Sequence, residues 1–281
     1  MENGERIDEI IYPILKDVWG YSDFRPMQRE IIHQIMLNRD LLAILPTGGG
    51  KSICFQVPAL AKRGVCIVVS PLIALIKDQV QNLKKLNIKA LSVHSGMSYR
   101  EVDIALDNAI YGNYKFLYLS PERLNTQLFR ARVSRMDVSM IVVDEAHCIS
   151  QWGYDFRPDY LTISQIKSEV ARNRRDVDSE FIPHDVPIIA LTATATEKVA
   201  DDICDRLSFA SKNIIRSGFD RPNLSYLVKQ TENKLGNLLA LCNKINGSAI
   251  IYAGQRKKCE ELASFLQSQG VDAQPYHAGM S

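Results

Sequence analysis

The sequence predicts an α/β protein built on a parallel β-sheet, and three observations support that class. Short apolar runs rich in β-branched residues alternate with segments whose apolar positions recur at helical spacing. A glycine-rich loop, residues 45–52, lies between one such run and one such helix. Two of the apolar runs end in Ser-Pro, a small polar loop of the kind that binds ligands at the strand ends of α/β sheets.

Length and composition are those of an ordinary globular protein with two domains. The chain has 281 residues, of which 46% are hydrophobic and 23% charged. Its net charge of +2 gives no sign for or against nucleic acid, so any basic surface must be local. Six cysteines without a C-x-x-C pair predict reduced thiols, a cytoplasmic protein and no zinc site. The absence of a run of about 18 apolar residues excludes a membrane span.

The N-terminal segment predicts two helices, 7–19 and about 22–37, with a polar aromatic stretch at their junction. This stretch precedes the strand that leads into the glycine-rich loop. Tyr21 and Arg25 are therefore candidates to stack on a base, and the Gln28 amide can donate to and accept from its edge. The alternative is an amphipathic helix whose side chains only pack in the core.

The glycine-rich loop predicts a phosphate-binding site. It follows the apolar strand 41–45, and its three glycines, residues 48–50, let several N–H groups converge on one anion. Lys51 is placed to reach the β- and γ-phosphates, and the Ser52 hydroxyl to bind Mg²⁺. The strict pattern requires a glycine where this chain has Leu45, so a flexible glycine-rich turn is the alternative from these residues alone.

The middle of the chain predicts a regular alternation of strands and helices. Both Ser-Pro turns, at residues 70–71 and 120–121, follow strands and can also simply initiate helices. The predicted strands are 65–69, 89–93, 116–119, 140–143 and 187–191, and the predicted helices between them are 73–86 and 99–110.

Two adjacent carboxylates follow the strand that ends at Val143. Asp144 is placed to hold Mg²⁺, and Glu145 to orient or deprotonate an attacking water. Because side chains alternate along an extended chain, we expect the two carboxylates to point in different directions. The alternative is a solvated acidic turn, which the upstream phosphate loop disfavours.

An aromatic segment without regular periodicity, residues 148–160, comes next. Trp152 and Phe156 are able to stack on bases while Arg157 meets phosphate, although burial of the aromatics in a packed loop is the alternative. Residues 172–185 are charge-rich and predict a solvated surface excursion, and a basic contact through Arg172, Arg174 and Arg175 is the alternative that the following acidic residues disfavour. Hydroxyls at 192–196 either relay the nucleotide state or cap a helix through Thr196.

The C-terminal part predicts a second βαβ arrangement after a turn-rich boundary. Its helices are predicted at about 231–245 and 255–268, and its strands at 248–252 and 271–276. The pentapeptides at 94–98 and 277–281 differ at one position of five and lie equally far behind an apolar strand, which indicates an internal repeat.

Together these motifs resemble the RecQ family of superfamily-two DNA helicases from about Trp19 to Ser281. The aromatic segment, Ser150 to Pro158, is the most family-specific match, and it favours a nucleic-acid role for that loop. Tyr154 departs from the histidine common in the family. The matching segments are 24–28, 46–52, 70–75, 120–124, 144–147, 150–158, 192–196 and 219–224.

The resemblance implies a RecA-like P-loop NTPase lobe with a parallel sheet, residues 1–215, a linker, 216–228, and the start of a second RecA-like lobe, 229–281. It implies ATP and Mg²⁺ as cofactors. Implied catalytic residues are Lys51, Asp144, Glu145 and His147; nucleotide-binding residues are Tyr21, Arg25, Gln28, Thr47, Gly48, Gly49, Gly50, Lys51 and Ser52; Mg²⁺ ligands are Ser52 and Asp144. Implied DNA-binding residues are Ser70, Pro71, Arg123, Trp152, Phe156 and Arg157.

The implied function is an ATP-dependent 3′ to 5′ DNA helicase acting in recombination and repair, at the nucleoid or in the nucleus. Its partners would be single-stranded and forked DNA, together with single-strand DNA-binding or recombination proteins that contact further C-terminal modules. No membrane partner is expected. The family's arginine fingers would lie beyond Ser281, so we expect this chain to bind ATP but hydrolyse it poorly and unwind little. The alternatives are an RNA helicase of the Asp-Glu-Ala-Asp class and a non-catalytic, nucleotide-gated DNA-binding fragment.

Overall fold

Seven strands form one sheet at the centre of the chain's larger unit, and every hydrogen-bonded pair of strands in it is parallel. Their spatial order is β3-β4-β2-β5-β6-β1-β7. The strands are β1 (Leu41–Ile44), β2 (Val65–Val69), β3 (Ala90–Val93), β4 (Phe116–Leu119), β5 (Val138–Val143), β6 (Ile188–Thr192) and β7 (Ile214–Arg216).

The computed structural model describes residues 2–153, 155–175, 186–218 and 224–280. Contacts divide the chain into two compact units, Met1–Asp220 and Arg221–Ser281. The larger unit contains helices α1 (Glu2–Trp19), α2 (Gln28–Met36), α3 (Lys51–Ala61), α4 (Ile73–Lys85), α5 (Tyr99–Tyr111), α6 (Gln127–Val133), α7 (Ile163–Arg175) and α8 (Glu197–Arg206), with short 3₁₀ turns at Pro121–Asn125, Ala146–Ile149 and Pro158–Thr162.

Helices cover both faces of the sheet. One buried cluster joins the sheet to α5, α6, α7 and α8, and a second joins its other face to α2, α3 and α4. The central strands are buried along their whole length, as in β2 and β5, because a parallel sheet covered on both faces leaves no strand side in water. The predicted α/β class is therefore confirmed, and the six strands predicted in this unit are present.

The start of the second helix differs from the prediction. α2 begins at Gln28 rather than near residue 22, and Met27 before it has a left-handed φ of 69°. Proline restricts the residue before it to extended backbone, so Arg25 cannot be helical ahead of Pro26. Asp23 instead accepts hydrogen bonds from the Phe24 N–H and the Tyr12 hydroxyl.

The smaller unit contains α9 (Lys234–Lys244) and α10 (Arg256–Ser268). The strands predicted at 248–252 and 271–276 are not formed in the part of this unit that the structure describes. A strand requires a hydrogen-bonded neighbour, and neither segment has one there. Two other predicted features lie outside the described residues, namely most of the charged stretch 172–185 and most of the motif 219–224. Among the described helices, none combines the length and apolar character that a bilayer crossing requires.

Candidate nucleotide and nucleic-acid site

The glycine-rich loop joins the end of β1 to the first residue of α3, Lys51. Gly48 and Gly50 have left-handed φ angles of 80° and 76°, which glycine adopts without steric cost. A Cβ on Gly49 would lie 2.9 Å from the Pro46 carbonyl oxygen. The loop conformation thus requires glycine at each of these positions. A backbone of this kind can direct several N–H groups toward one phosphate.

Two residues predicted to contact a base are bonded to this loop. The Gln28 side chain is 3% exposed, and its Nε2 donates to the Gly50 carbonyl at 3.0 Å while its Oε1 accepts from the Arg25 N–H at 2.8 Å. Arg25 Nη1 donates to the Gly48 carbonyl at 2.6 Å. Both side chains therefore support the phosphate loop from outside, whereas Tyr21 is 52% exposed.

Asp144 lies directly after β5, beside the end of β2. The register that pairs Val69 with Val143 brings Ser70 next to this carboxylate, and Ser70 Oγ donates to Asp144 Oδ2 at 3.1 Å. The Tyr160 hydroxyl donates to the Asp144 main-chain carbonyl at 3.1 Å. Burial raises the pKa of Asp144, the Glu145 charge adds to the rise, and the Lys51 ammonium opposes it. A cation beside Asp144 would offset this unfavourable environment.

Glu145 occupies a different environment because its backbone is left-handed, with φ 48°. Its Oε1 lies 3.6 Å from Lys51 Nζ, and its Oε2 lies 3.3 Å from His147 Nδ1. His147, followed by Lys51, lowers the pKa of Glu145 against its desolvation. The two carboxylates thus have different partners although both line the same cavity, and their pKa values move in opposite directions.

His147 connects the carboxylates to β6. Its Nδ1 lies 3.0 Å from Thr192 Oγ1, the last residue of that strand. Contacts with Cys148 and then Glu145 raise the pKa of His147 to about 10, although burial opposes the rise. This rise in pKa favours the protonated imidazole at neutral pH, and the Nδ1 that contacts Thr192 also lies 3.3 Å from Glu145 Oε2.

This shift predicts a pH dependence of stability. A histidine whose pKa is raised on folding stabilises the protein fully below its ordinary value of 6.5, and that contribution is lost as pH rises toward about 10. We expect the difference in unfolding free energy between wild type and His147→Asn to shrink over that range in urea titrations. Histidine NMR signals, assigned through the same variant, provide the check. Titration of His147 near pH 6.5 would contradict the prediction.

A cavity of about 330 Å³ opens where these elements meet. Most of the residues predicted to act on phosphate and metal line it, although His147 and Gly49 do not, and Phe55, Gln79 and Tyr118 also line it. Phosphate-side lining residues are Thr47, Gly48, Gly50, Lys51, Ser52, Ser70, Asp144 and Glu145.

Ser52 and Asp144 form an oxygen donor pair suited to Mg²⁺. Within the described ranges, no group of three or more His, Cys, Asp or Glu side chains could hold a metal. Mg²⁺ usually keeps waters and completes its shell with substrate phosphates, so one hydroxyl and one carboxylate are a sufficient protein contribution. The residues present therefore fit a phosphate-bound Mg²⁺.

The residues predicted to bind DNA fall into two groups. Ser70 and Pro71 adjoin the cavity, and Arg157 Nη1 donates to the Pro71 carbonyl at 3.2 Å, so the aromatic segment reaches the end of β2. Arg123 lies apart from them and donates to the His94 carbonyl at 2.8 Å, while its Nε is buried without a hydrogen-bond partner among the described residues. Trp152 is 62% exposed, and Phe156 is half-buried.

Sequence reasoning missed several contributors to the site. Tyr160 belonged to the predicted aromatic segment, but its hydrogen bond to the Asp144 carbonyl was not predicted. Gln79 and Tyr118 lie on α4 and β4, where they looked like ordinary element residues. No spacing in the sequence indicates that these elements converge on one cavity.

Comparison with known proteins gives one family match and many relatives. The family model described as DEAD/DEAH box helicase matches residues 25–203. The chain is 40% identical over 271 residues to "ATP-dependent DNA helicase RecQ" of Pasteurella multocida, covering 95% of this chain and 40% of that protein. It is 40% identical over 271 residues to the Bacillus subtilis protein of the same name, covering 95% and 44%. It is 36% identical over 288 residues to "ATP-dependent helicase SGS1" of Saccharomyces cerevisiae, covering 97% and 19%.

Solved structures give the same fold at lower identity. The DUF1998 helicase MrfA bound to DNA superposes with a TM-score of 0.66 at 17% identity, over 98% of this chain and 41% of that one. The Pyrococcus furiosus Hef helicase domain superposes with a TM-score of 0.53 at 19% identity, over 91% and 49%. This chain thus spans about two fifths of the length of the bacterial relatives.

Proposed function

This chain belongs to the DEAD/DEAH box helicase family, and from that premise we propose that it supplies the ATP-binding part of a RecQ-type, ATP-dependent DNA helicase. The observation that carries the proposal is the cavity shared by Lys51, Ser52, Asp144 and Glu145. Its relatives at 36–40% identity bear the name of ATP-dependent helicases, which supports the same activity here.

The cavity supports ATP hydrolysis with a distinct role for each residue. The N–H groups of the loop, Thr47 to Gly50, surround the phosphates, and Lys51 binds the β- and γ-phosphates. Ser52 and Asp144 hold Mg²⁺, which neutralises charge on the phosphate oxygens when bound. Glu145, whose pKa is lowered, stays ionised and orients the water that attacks the γ-phosphorus.

His147 is proposed to report the state of the γ-phosphate. Its Nδ1 lies near both Glu145 Oε2 and Thr192 Oγ1, so a change in the Glu145 position alters the contact of the same nitrogen with the end of β6. Tyr21, Arg25 and Gln28 are proposed to hold the nucleotide base. Arg25 and Gln28 at the same time position the loop through the Gly48 and Gly50 carbonyls.

Single-stranded and forked DNA are the proposed polymer substrates, in recombination and repair. Trp152 and Phe156 stack on bases, while Arg157, Arg123 and the strand-end residues Ser70 and Pro71 meet the sugar–phosphate backbone. Arg157 joins the stacking loop to Pro71, which supports a common surface for the loop and the strand-end residues Ser70 and Pro71. Translocation in the 3′ to 5′ direction and contacts with single-strand DNA-binding or recombination proteins are proposed for the whole protein.

Binding of labelled oligothymidylate and of oligouridylate tests this proposal. We expect the chain to prefer the DNA, and Trp152→Ala to weaken DNA binding about tenfold, because stacking contributes about 1–3 kcal/mol per base. Fluorescence anisotropy measures both. Tyr99→Ala, which removes an exposed aromatic from α5, is the matched control and should bind as wild type does.

Preferential binding of the RNA would favour the alternative, an RNA helicase of the Asp-Glu-Ala-Asp class. His147 stands where that class has aspartate, and this difference together with the loop around Trp152 supports the DNA helicase instead. Unaltered DNA binding by Trp152→Ala would exclude the stacking role proposed for the loop.

A further inference from the structure

Two residues of the aromatic loop, residues 150–158, contact α8. The α8 residues that they contact, Lys198 and Asp202, lie outside all of the sequence motifs. Ser150 is fully buried, and its Oγ donates to Asp202 Oδ2 at 2.7 Å. The Lys198 ammonium lies 3.2 Å from the centroid of the Trp152 ring. Lys198 and Asp202 are four residues apart, so they lie on one face of α8. This face therefore acts as a platform for the beginning of the loop.

Lys198 lies over one face of the Trp152 ring. The tryptophan nevertheless remains 62% exposed, so much of the rest of the ring is open to a partner. The Trp152 N–H also donates to Ser150 Oγ at 3.2 Å, which ties the tryptophan backbone to the anchored serine. The Lys198 ammonium is attracted to the face of the indole ring, and this attraction favours one orientation of the ring.

The helix that carries Lys198 and Asp202 begins a few residues after Thr192, which contacts His147 of the nucleotide site. Thr196 Oγ1 caps α8 by accepting from the Val199 N–H, which confirms the helix-cap alternative for this hydroxyl. Thr192, six residues before Lys198, contacts His147. The segment that places Lys198 over Trp152 is thus attached to the residue that contacts Glu145.

We infer that Lys198 is a positioning residue for nucleic-acid stacking, which holds the Trp152 ring on α8 with its opposite face available to a base of single-stranded DNA. This inference rests on the proposed function of the loop. Lys198 itself contacts the ring and not the phosphate backbone. Its ammonium lowers the entropic cost of base stacking because the ring is oriented before the strand arrives.

The first measurement uses the chain without DNA. The chain has two tryptophans, so Trp19→Phe leaves Trp152 as the single emitter. In that background we expect Lys198→Gln to shift the Trp152 emission and to raise its quenching by acrylamide. Lys198→Arg should restore both, because a guanidinium also stacks on tryptophan. Lys212→Gln, which removes a surface lysine paired with Asp201, is the control and should change neither. Identical emission in wild type and Lys198→Gln would overturn the inference.

The second measurement titrates labelled oligothymidylate at several salt concentrations. We expect Lys198→Gln to weaken binding about threefold, Lys198→Arg to recover it, and the slope of log K against log salt to stay unchanged. A direct phosphate contact would instead reduce the magnitude of that slope by about 0.7. Such a reduction would overturn the positioning role, and so would an unchanged affinity.

The two hypotheses fail in different ways. Absence of oligothymidylate binding by the wild-type chain would contradict the proposed function and the inference together. Normal wild-type binding that Lys198→Gln leaves unchanged, while Trp152→Ala abolishes it, would contradict only the inference.

Discussion

Lys51→Ala is expected to lower the affinity of the chain for Mg-ATP about 100-fold. Hydrogen bonds to a charged partner contribute about 1.5–3 kcal/mol each, and a loss of about 2.7 kcal/mol corresponds to that factor. The Lys51 ammonium faces the cavity and lies 3.6 Å from Glu145 Oε1, so its removal also leaves the carboxylates without their nearest lysine. Isothermal titration with Mg-ATP measures the effect.

Lys84→Ala is the matched control for this substitution. Lys84 is an exposed lysine in the last turn of α4 and does not line the cavity, so its variant should bind Mg-ATP as wild type does. Oligothymidylate binding in the absence of nucleotide should be the same in wild type and both variants. Equal Mg-ATP affinities for wild type and Lys51→Ala would place the nucleotide somewhere else.

Asp40→Ala is expected to lower the stability of the larger unit by about 3–5 kcal/mol, because it leaves a lysine ammonium without its partner. The Asp40 side chain is 7% exposed and precedes β1. Its Oδ1 accepts from the Ile188 N–H at 2.8 Å, at the start of β6, and its Oδ2 accepts from Lys167 Nζ on α7 at 2.6 Å. The Asp40 carboxylate therefore connects the start of β1 to β6 and to α7.

Thermal unfolding measures this effect, with an expected fall in midpoint of about 10 °C. Asp40→Asn retains an acceptor for the Ile188 N–H and should lose less, which keeps the test usable if the alanine variant fails to fold. Asp201→Ala, which breaks an exposed pair with Lys212, should unfold as wild type does. An unchanged midpoint in Asp40→Ala would show that the pair is not a determinant of stability.

Strands that are apolar along their whole length were predictable from the sequence alone. The runs at β2 and β4 have the same limits in the prediction and in the structure, because burial on both faces leaves no polar position to obscure them. Short elements were missed, and so was the thirteen-residue α7, whose charged end was assigned to the surface stretch 172–185. β7 has three residues and follows a turn, and α6 is a single seven-residue helix, so neither provides enough periods of a pattern.

The site was predictable where a motif carries its own backbone requirement. The glycines were predictable because the left-handed φ angles of Gly48 and Gly50 disfavour other residues, and the RecQ resemblance drawn from such motifs is confirmed by the relatives. Contacts that depend on the packing of distant elements were not predictable. The Arg25 and Gln28 bonds to the loop carbonyls and the Lys198 contact with Trp152 are of this kind.

We propose that nucleotide binding in the cavity and DNA binding by the aromatic loop are energetically coupled through His147, Thr192 and α8. The affinity of the chain for labelled oligothymidylate, measured with and without a non-hydrolysable Mg-ATP analogue, tests it most directly. We expect the analogue to change this affinity at least threefold, DNA to change the affinity for the analogue by the same factor, and Lys51→Ala to abolish both effects. Equal DNA affinities with and without a saturating amount of the bound analogue would contradict it.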